Sequence, residues 1–318
     1  MALFLSENDV KNLLTVALAM EAVESAHRDL ALGQAQDVPR ARTRLSQTVL
    51  HILQGGLPAQ GVLGYKAYTS NRSGNRFLVH LFDAASGQLR AVIEADFLGM
   101  IRTGAASGVA AKWLARPDAT VAGVFGAGWQ AEGHVRAICA ALPLERVKVF
   151  SRKADKLQAF CQRMSEATGV AVVPAASAEE TVRGSDIVGT VTTAAQPLFD
   201  AEWLEPGVHI NAAGSNALIR QELSEAAVRR CDLVAVDAVP TALAEAGDLL
   251  PLLEKGRLHA RQLVELGEVI VGRHAGRTDA GQITLFESQG MAIQDLAVAL
   301  RVVKLAEERG LGRELPYQ

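Results

Sequence analysis

From residue 120 onward the chain alternates short, unbroken apolar runs with stretches of helix length. The runs are TVAGVF, RVKVF, VAVVP, DIVGTVT, GVHINAA and DLVAVDA. Strands apolar on both faces that alternate with helices predict a parallel sheet covered on both sides, an α/β architecture. The first run, VAGVF (121–125), leads straight into GAGWQA (126–131). Gly126, Gly128 and Ala131 there make G-x-G-x-x-A, enclosing Trp129 and Gln130, between a predicted strand and the opening of a predicted helix. In that setting the first glycine allows the tight turn, the second lets a pyrophosphate approach the backbone, and the small third residue lets helix and strand pack closely. The free N–H groups and positive end of the helix then face the phosphates. Glycines also make ordinary strand-to-helix turns, and it is the five strands behind this one that turn the motif into a prediction of a doubly wound Rossmann sheet holding a dinucleotide.

Which dinucleotide is decided about 20 residues on, where an acidic side chain would hold the ribose hydroxyls of NAD. Here RVKVF ends in Ser151, Arg152 and Lys153, with no carboxylate at the tip. Two cations and a hydroxyl suit a 2′-phosphate through charge-assisted hydrogen bonds, so NADP(H) is expected ahead of NAD(H). The alternative is that both cations are solvated loop charges and Asp155 reaches back to the ribose.

The first 118 residues have another rhythm. Residues 7–32 place apolar side chains at three- and four-residue intervals, which predicts one or two amphipathic helices. Four strands follow, TVLHIL (48–53), GVLGYKAYT (61–69), RFLVHLFDA (76–84) and LRAVIEA (89–95), with short polar connections that favour antiparallel pairing. A helix of small residues, 96–115, ends at RPD (116–118), where the domain boundary is expected. From around Leu285 to Arg309 a last helical pattern follows a long loop and returns to the first domain. The expected division is therefore 1–118 with 296–318, and 119–295; a length of 318 residues favours two domains.

Several function classes are excluded. The 32 basic and 35 acidic side chains are interspersed, with a net charge of −3, leaving no basic stripe for nucleic acid. No apolar run approaches the roughly 18 residues that span a bilayer, and MALFLSENDV lacks the features of a signal peptide, so no membrane partner and a cytoplasmic location are expected. Cys139, Cys161 and Cys231 are odd in number and widely spaced, which fits reduced structural thiols. No metal-ligand cluster and no Ser or Cys nucleophile motif is present in the sequence.

Arg42 follows the extended DVPRA, Lys66 lies inside an apolar strand and Arg102 inside the small-residue helix. A buried cation is costly unless paired. One solution is an internal salt bridge, with Glu94 or Asp96 as partner; the other is a carboxylate ligand held by three cations drawn to one cleft, with arginine offering a bidentate fork. His51 and His80 sit in strands of the same domain, either as half-buried structural residues or as proton carriers facing the pocket.

The segments RTRL (42–45), GYK (64–66), FDAASGQLRAVIEADFLGMIRTGAAS (82–107), GAGWQA (126–131), NAAGSN (211–216), VAVDA (234–238) and ITLFESQGMAIQDLAVA (283–299) resemble the ornithine cyclodeaminase and mu-crystallin family over nearly the whole chain. The resemblance implies a homodimer whose protomer joins an α+β domain, for substrate and dimer contacts, to a doubly wound nucleotide domain. It assigns Arg42, Lys66 and Arg102 to the substrate carboxylate and Asp237, at the sixth nucleotide-domain strand, to the substrate nitrogen. Position agrees for Asp237, since open α/β sheets bind ligands at the carboxyl ends of their strands, although a cap or loop hydrogen bond would place an aspartate there equally well. Thr192, Thr193, Asn211, Gly214 and Ser215 become contacts to the ribose or nicotinamide, each with a capping or turn role as the alternative.

The resemblance also implies hydride exchange between a nicotinamide and the carbon bearing an amino or imino group beside a carboxylate. Cyclodeaminases of the family carry a glutamate eleven residues after the first carboxylate-binding arginine. The corresponding residue here is Leu53, which cannot carry a proton. The expected activity is therefore reduction of a cyclic or linear imino acid, or oxidation of the matching amino acid, with Lys66 and Asp237 as catalytic residues. Ornithine cyclisation through another base, and cofactor-dependent binding of a small ligand without catalysis, are the alternatives.

Overall fold

A computed structural model describes residues 2–316. In chain order it contains β1 (Ala2–Leu5), α1 (Glu7–Leu13), α2 (Val16–Ala31), β2 (Gln36–Arg44), β3 (Val49–Leu57), β4 (Val62–Asn71), β5 (Gly74–Asp83), β6 (Leu89–Glu94) and α3 (Asp96–Leu114). There follow β7 (Val121–Phe125), α4 (Trp129–Ala141), β8 (Arg146–Phe150), α5 (Ala154–Thr168), β9 (Ala171–Pro174), α6 (Ala178–Val182), β10 (Ile187–Thr190), β11 (His209–Ala212), α7 (Glu225–Arg229) and β12 (Leu233–Val236). The remainder is α8 (Val239–Glu245), α9 (Leu250–Glu254), β13 (Leu263–Glu265), α10 (Leu266–Ile270), β14 (Thr284–Glu287), α11 (Ala292–Arg309) and β15 (Arg313–Leu315).

The chain forms two units. One runs to Arg102 and resumes at Gly290; the other is Thr103–Gln289. The division thus falls inside α3, earlier than the expected 118, and at 290 rather than 296. The small residues of α3 give the reason: a Cβ at Gly104 would lie 2.1 Å from the Gly133 carbonyl oxygen, and one at Gly108 would lie 3.0 Å from Ala137. Most of α3 is therefore packed against α4, inside the second unit.

In the first unit seven strands form one sheet in the order β15-β1-β6-β5-β4-β3-β2. β3 to β6 are antiparallel neighbours as expected; β2 and β1, both absent from the sequence reading, pair antiparallel with β3 and parallel with β6 respectively. Side chains alternate between the two faces. Leu53, Leu57, Val62, Val79, Leu81 and Ile93 are buried on the inner face, which packs on α11. Gly55 and Gly64 make that approach close: a Cβ at Gly64 would meet the His80 carbonyl oxygen at 2.1 Å and Leu296 at 3.1 Å. The outer face carries Leu63, Tyr65, Leu78, His80 and Phe82, with Leu63 and Leu78 43% and 38% exposed.

The second unit is a parallel eight-stranded sheet, β13-β12-β14-β11-β10-β7-β8-β9, with a hydrophobic cluster centred on Phe125, Ile210 and Leu285 and another on Val124, Val147 and Phe160. The six expected strands are joined by two more. β14 is Thr284–Glu287, so the residues after Leu285 open as a central strand between β11 and β12, and the final helix begins only at Ala292. No helix among the described residues is long and apolar enough to cross a membrane. Cys139, Cys161 and Cys231 are free thiols, pushed up to about 11, 11 and 12 by burial.

Candidate active site

The first unit buries two cations, Lys66 and Arg102, around one carboxylate. Lys66 is 2% exposed on β4, opposite Leu53 on β3 and Val79 on β5. Its Nζ lies 2.7 Å from Asp295 Oδ2, in the first turn of α11. Arg102 donates through Nε to the other oxygen of that carboxylate at 2.8 Å, and through Nη1 to Gln294 Oε1 at 3.1 Å. Asp295 therefore holds both cations, and the expected partners Glu94 and Asp96 are engaged elsewhere. Glu94 accepts the Glu7 amide at 2.8 Å, and Asp96 accepts the Phe77 amide at 3.2 Å. Gly290 shapes the same spot: its φ is +79°, and a Cβ there would lie 2.6 Å from Arg102 Nη1. Burial, and after it the Arg102 charge, push Lys66 down to about 7, with Asp295 pulling the other way. An amine in that range exchanges protons at neutral pH.

Arg42 stands one row away, paired with His51, which is paired in turn with Tyr68. The β2 cation felt at Lys66 is Arg40, which sequence reasoning missed because a register shift in β2 between Val38 and Ala41 hides which residues turn inward. His51 shares the Lys66 face. It stacks on Tyr68 with ring centroids 4.2 Å apart, its Nε2 lies 2.9 Å from Ser70 Oγ, and Tyr68 stacks on Phe77. Burial, then the charges of Arg42, Arg40 and Arg44, lower His51 to about 4, so it is neutral at pH 7. His80 is different: it pairs with Tyr65, the neighbour of Lys66, and so points to the outer face, stacked on Tyr65 at 4.6 Å. As a proton carrier beside Lys66 it is therefore excluded by the pleat.

In the second unit the glycine turn follows β7. Gly126 has φ +116°, and a Cβ there would lie 2.7 Å from the Val191 carbonyl oxygen. Gly128 caps α4, and a Cβ there would meet nothing within 4 Å, which leaves its backbone open to a ligand. Ala131 is fully buried against the sheet, Gln130 is half-buried and Trp129 is 49% exposed on the first turn. This turn, open at the N-terminus of a 13-residue helix, fits a pyrophosphate. At the tip of β8, Ser151 is half-buried and accepts the Lys153 amide at 3.3 Å, while Arg152, Lys153 and Asp155 are exposed.

Strand order reverses between β7 and β10, and ligands of open α/β sheets bind at such a switch point, at the carboxyl ends of the strands. Thr192 and Thr193 follow β10 there, and Gly214 and Ser215 follow β11. Two of the expected contacts turn inward instead. Asn211 donates to the Ser107 carbonyl at 3.3 Å, with its Oδ1 3.2 Å from His209 Nε2; Ser215 Oγ accepts the Asp248 amide at 3.0 Å.

Asp237 follows β12 and is fully buried. Its Oδ2 accepts Ser288 Oγ at 2.8 Å and the Gln289 amide at 2.9 Å, from the segment just after β14. Glu287, at the end of β14, is raised well above the carboxylate range by burial and by the charges of Asp248, Glu222 and Asp237. Among the described residues no group of side chains has the makings of a metal site.

The profile of the ornithine cyclodeaminase/mu-crystallin family matches residues 1–310. A Delta(1)-pyrroline-2-carboxylate reductase of Bacillus cereus is 34% identical over 325 residues, covering 99% of this chain and 100% of that protein. Among solved structures, the Delta(1)-pyrroline-2-carboxylate reductase of Thermococcus litoralis in complex with NADH and L-proline superposes with a TM-score of 0.94 at 30% identity, covering 98% of this chain and 100% of that one. An archaeal alanine dehydrogenase dimer with bound NAD gives 0.94 at 31% identity, covering 100% and 99%. Fold, switch-point turn and full-length likeness agree: the chain belongs to the ornithine cyclodeaminase/mu-crystallin family.

Proposed function

We propose that this protein is an NAD(P)H-dependent reductase of a small imino acid, with a cyclic ketimine carboxylate as the preferred substrate and oxidation of the matching amino acid as the reverse reaction. The observation that carries this reading is the buried Lys66–Asp295–Arg102 group with Leu53 directly opposite Lys66. Two cations share one carboxylate, which leaves charge for a carboxylate ligand. The position beside Lys66 where a cyclodeaminase would keep an acid is a hydrocarbon, which argues against ring closure and ammonia release. The pyrroline-2-carboxylate reductases among the relatives support the same choice.

A nicotinamide dinucleotide supplies the hydride. Lys66 and Arg102, with Arg42, bind the substrate carboxylate, and Lys66 exchanges a proton. Asp237 acts on the imino nitrogen: a carboxylate there stabilises the protonated imine, whose carbon is the better hydride acceptor. The related structures hold NADH or NAD. We infer a preference for NADP(H) in this chain from Ser151, Arg152 and Lys153, where no acidic side chain stands at the strand tip. We also infer a homodimer that covers the apolar outer face of the first unit's sheet, the archaeal alanine dehydrogenase being a dimer.

The test is direct. Purified protein with NADPH or NADH and pyrroline- or piperideine-2-carboxylate should consume nicotinamide absorbance. Release of ammonia from ornithine with only catalytic cofactor would replace this reading with a cyclodeaminase, and silence in both assays would leave a ligand-binding protein.

A further inference from the structure

One buried side chain ties together the loops after β10 and β11. Glu222 Oε1 accepts the Thr192 amide at 2.6 Å, and Oε2 accepts the Gly214 amide at 2.8 Å. The approach is so close that a Cβ at Gly214 would lie 2.5 Å from the Glu222 carboxylate and 2.4 Å from the Thr192 carbonyl oxygen. Glu222 is itself anchored. Its amide and that of Leu223 donate to Asp248 Oδ1 at 2.7 and 2.9 Å, and the Asp248 amide donates to Ser215 Oγ. A chain of carboxylate-to-amide bonds therefore runs from the loop at 248 through Glu222 into both strand ends.

Connecting the two loops does not require this carboxylate. Gln221 already donates to the Ala194 carbonyl at 3.0 Å, and Ala213 to Thr190 at 3.0 Å. What Glu222 adds is a fixed direction for two peptide units at the sheet's switch point, at the cost of a fully buried acid. Both oxygens accept N–H groups, an arrangement that suits a carboxylate. Burial, the larger effect, pushes Glu222 up from the ordinary carboxylate value, and the bonds from Thr192 and Gly214 work against it.

We propose that Glu222 is a positioning residue for the nicotinamide ring of the cofactor. By holding the Thr192 and Gly214 amides inward it fixes the outer edges of both loops, including Thr193, on the β10–β11 side of the switch point. The GAGWQA turn on β7 holds the pyrophosphate without it. This inference rests on the dinucleotide reading given under Proposed function.

The experiment compares two ligands: the intact dinucleotide, NADPH or NADH, and ADP-ribose or its 2′-phosphate, which lacks nicotinamide. In Glu222→Gln one amide faces an NH₂ group in place of an acceptor, a loss that raises the dissociation constant of the dinucleotide about tenfold or more. Affinity for the ADP-ribose fragment stays unchanged. Glu222→Asp keeps the charge but is one methylene short, giving the same split to a smaller degree, and it decides the matter should the glutamine variant fail to fold. Equal losses for both ligands would mark Glu222 as merely structural, and unchanged binding of both would overturn the proposal. A wild-type protein that binds neither ligand would remove the dinucleotide reading, and this inference with it.

Discussion

Lys66 Nζ lies 2.7 Å from Asp295 Oδ2, a strand side chain and a helix side chain brought together by the packing of α11 on the sheet. Both groups are almost fully buried, and the same carboxylate also takes Arg102 Nε. Asp295→Asn keeps the shape and removes the carboxylate that faces both buried cations. Breaking a buried pair in this way costs about 3–5 kcal/mol. The expected outcome is a fall in Tm of roughly 10 °C together with a loss of kcat/KM of about 100-fold or more. Thermal melts and initial rates check it, and a variant that melts and turns over like the wild type would show that Asp295 neither stabilises nor positions the two cations.

Lys66 itself predicts a pH dependence. Its folded value, about 7, lies below its ordinary value of 10.5. The unfolded chain then binds the proton more tightly, so Lys66 costs stability in full below about 7, and that cost is relieved as pH rises toward 10.5. In imine reduction the protonated amine is the useful form, so kcat/KM should fall as pH rises through about 7. His51, lowered to about 4, titrates well outside this limb. Lys66→Arg stays charged and should lose the limb even where its rate is lower; a limb that persists in the variant belongs to another group.

The legibility of these features followed their range along the chain. The parallel sheet and the turn at Gly126 were readable because strand apolarity and glycine spacing are local signals, and α3 was readable for the same reason. Asp295 was not, because it reads as one polar residue in an amphipathic helix and its partner Lys66 comes from a distant strand. Glu94 and Asp96 were the nearer acids, but each serves a backbone amide. β14 escaped because its four residues, Thr284 to Glu287, are too few to carry a measurable period, and with it went Glu287, Ser288 and Gln289, which surround Asp237. Placing His80 on the outer face needs the register of β4 and β5, fixed by the two-residue turn between Asn71 and Gly74.

Asp237→Asn separates a chemical role from a binding one. The amide retains an oxygen for Ser288 Oγ and the Gln289 amide, so local structure should survive. Turnover should drop by about 100-fold, while KM for the imino acid changes little. Equal changes in kcat and KM, or none, would remove Asp237 from proton handling.

The tip of β8 predicts cofactor choice. Arg152 and Lys153 are exposed there, and Ser151 is half-buried. Arg152→Ala should raise KM for NADPH about tenfold, the scale of one charge-assisted contact to phosphate, and leave KM for NADH unchanged. Parallel kinetics with the two cofactors test this. A wild-type protein that favours NADH would instead point to Asp155 at the ribose.

The outer face of the first unit's sheet predicts assembly. Leu63 and Leu78 are 43% and 38% exposed, and Tyr65, His80 and Phe82 line a cavity on the same face with Leu89, Val92 and Leu315. In the homodimer proposed above, a second copy covers this apolar face in a symmetric pair, where every substitution acts twice. Leu63→Glu combined with Leu78→Glu places four like charges in one interface and should convert a dimer into monomers, read as a halved mass by light scattering. The inner face is untouched by either change, so cofactor binding should persist in the monomer. A double variant that remains a dimer would move the interface to another surface.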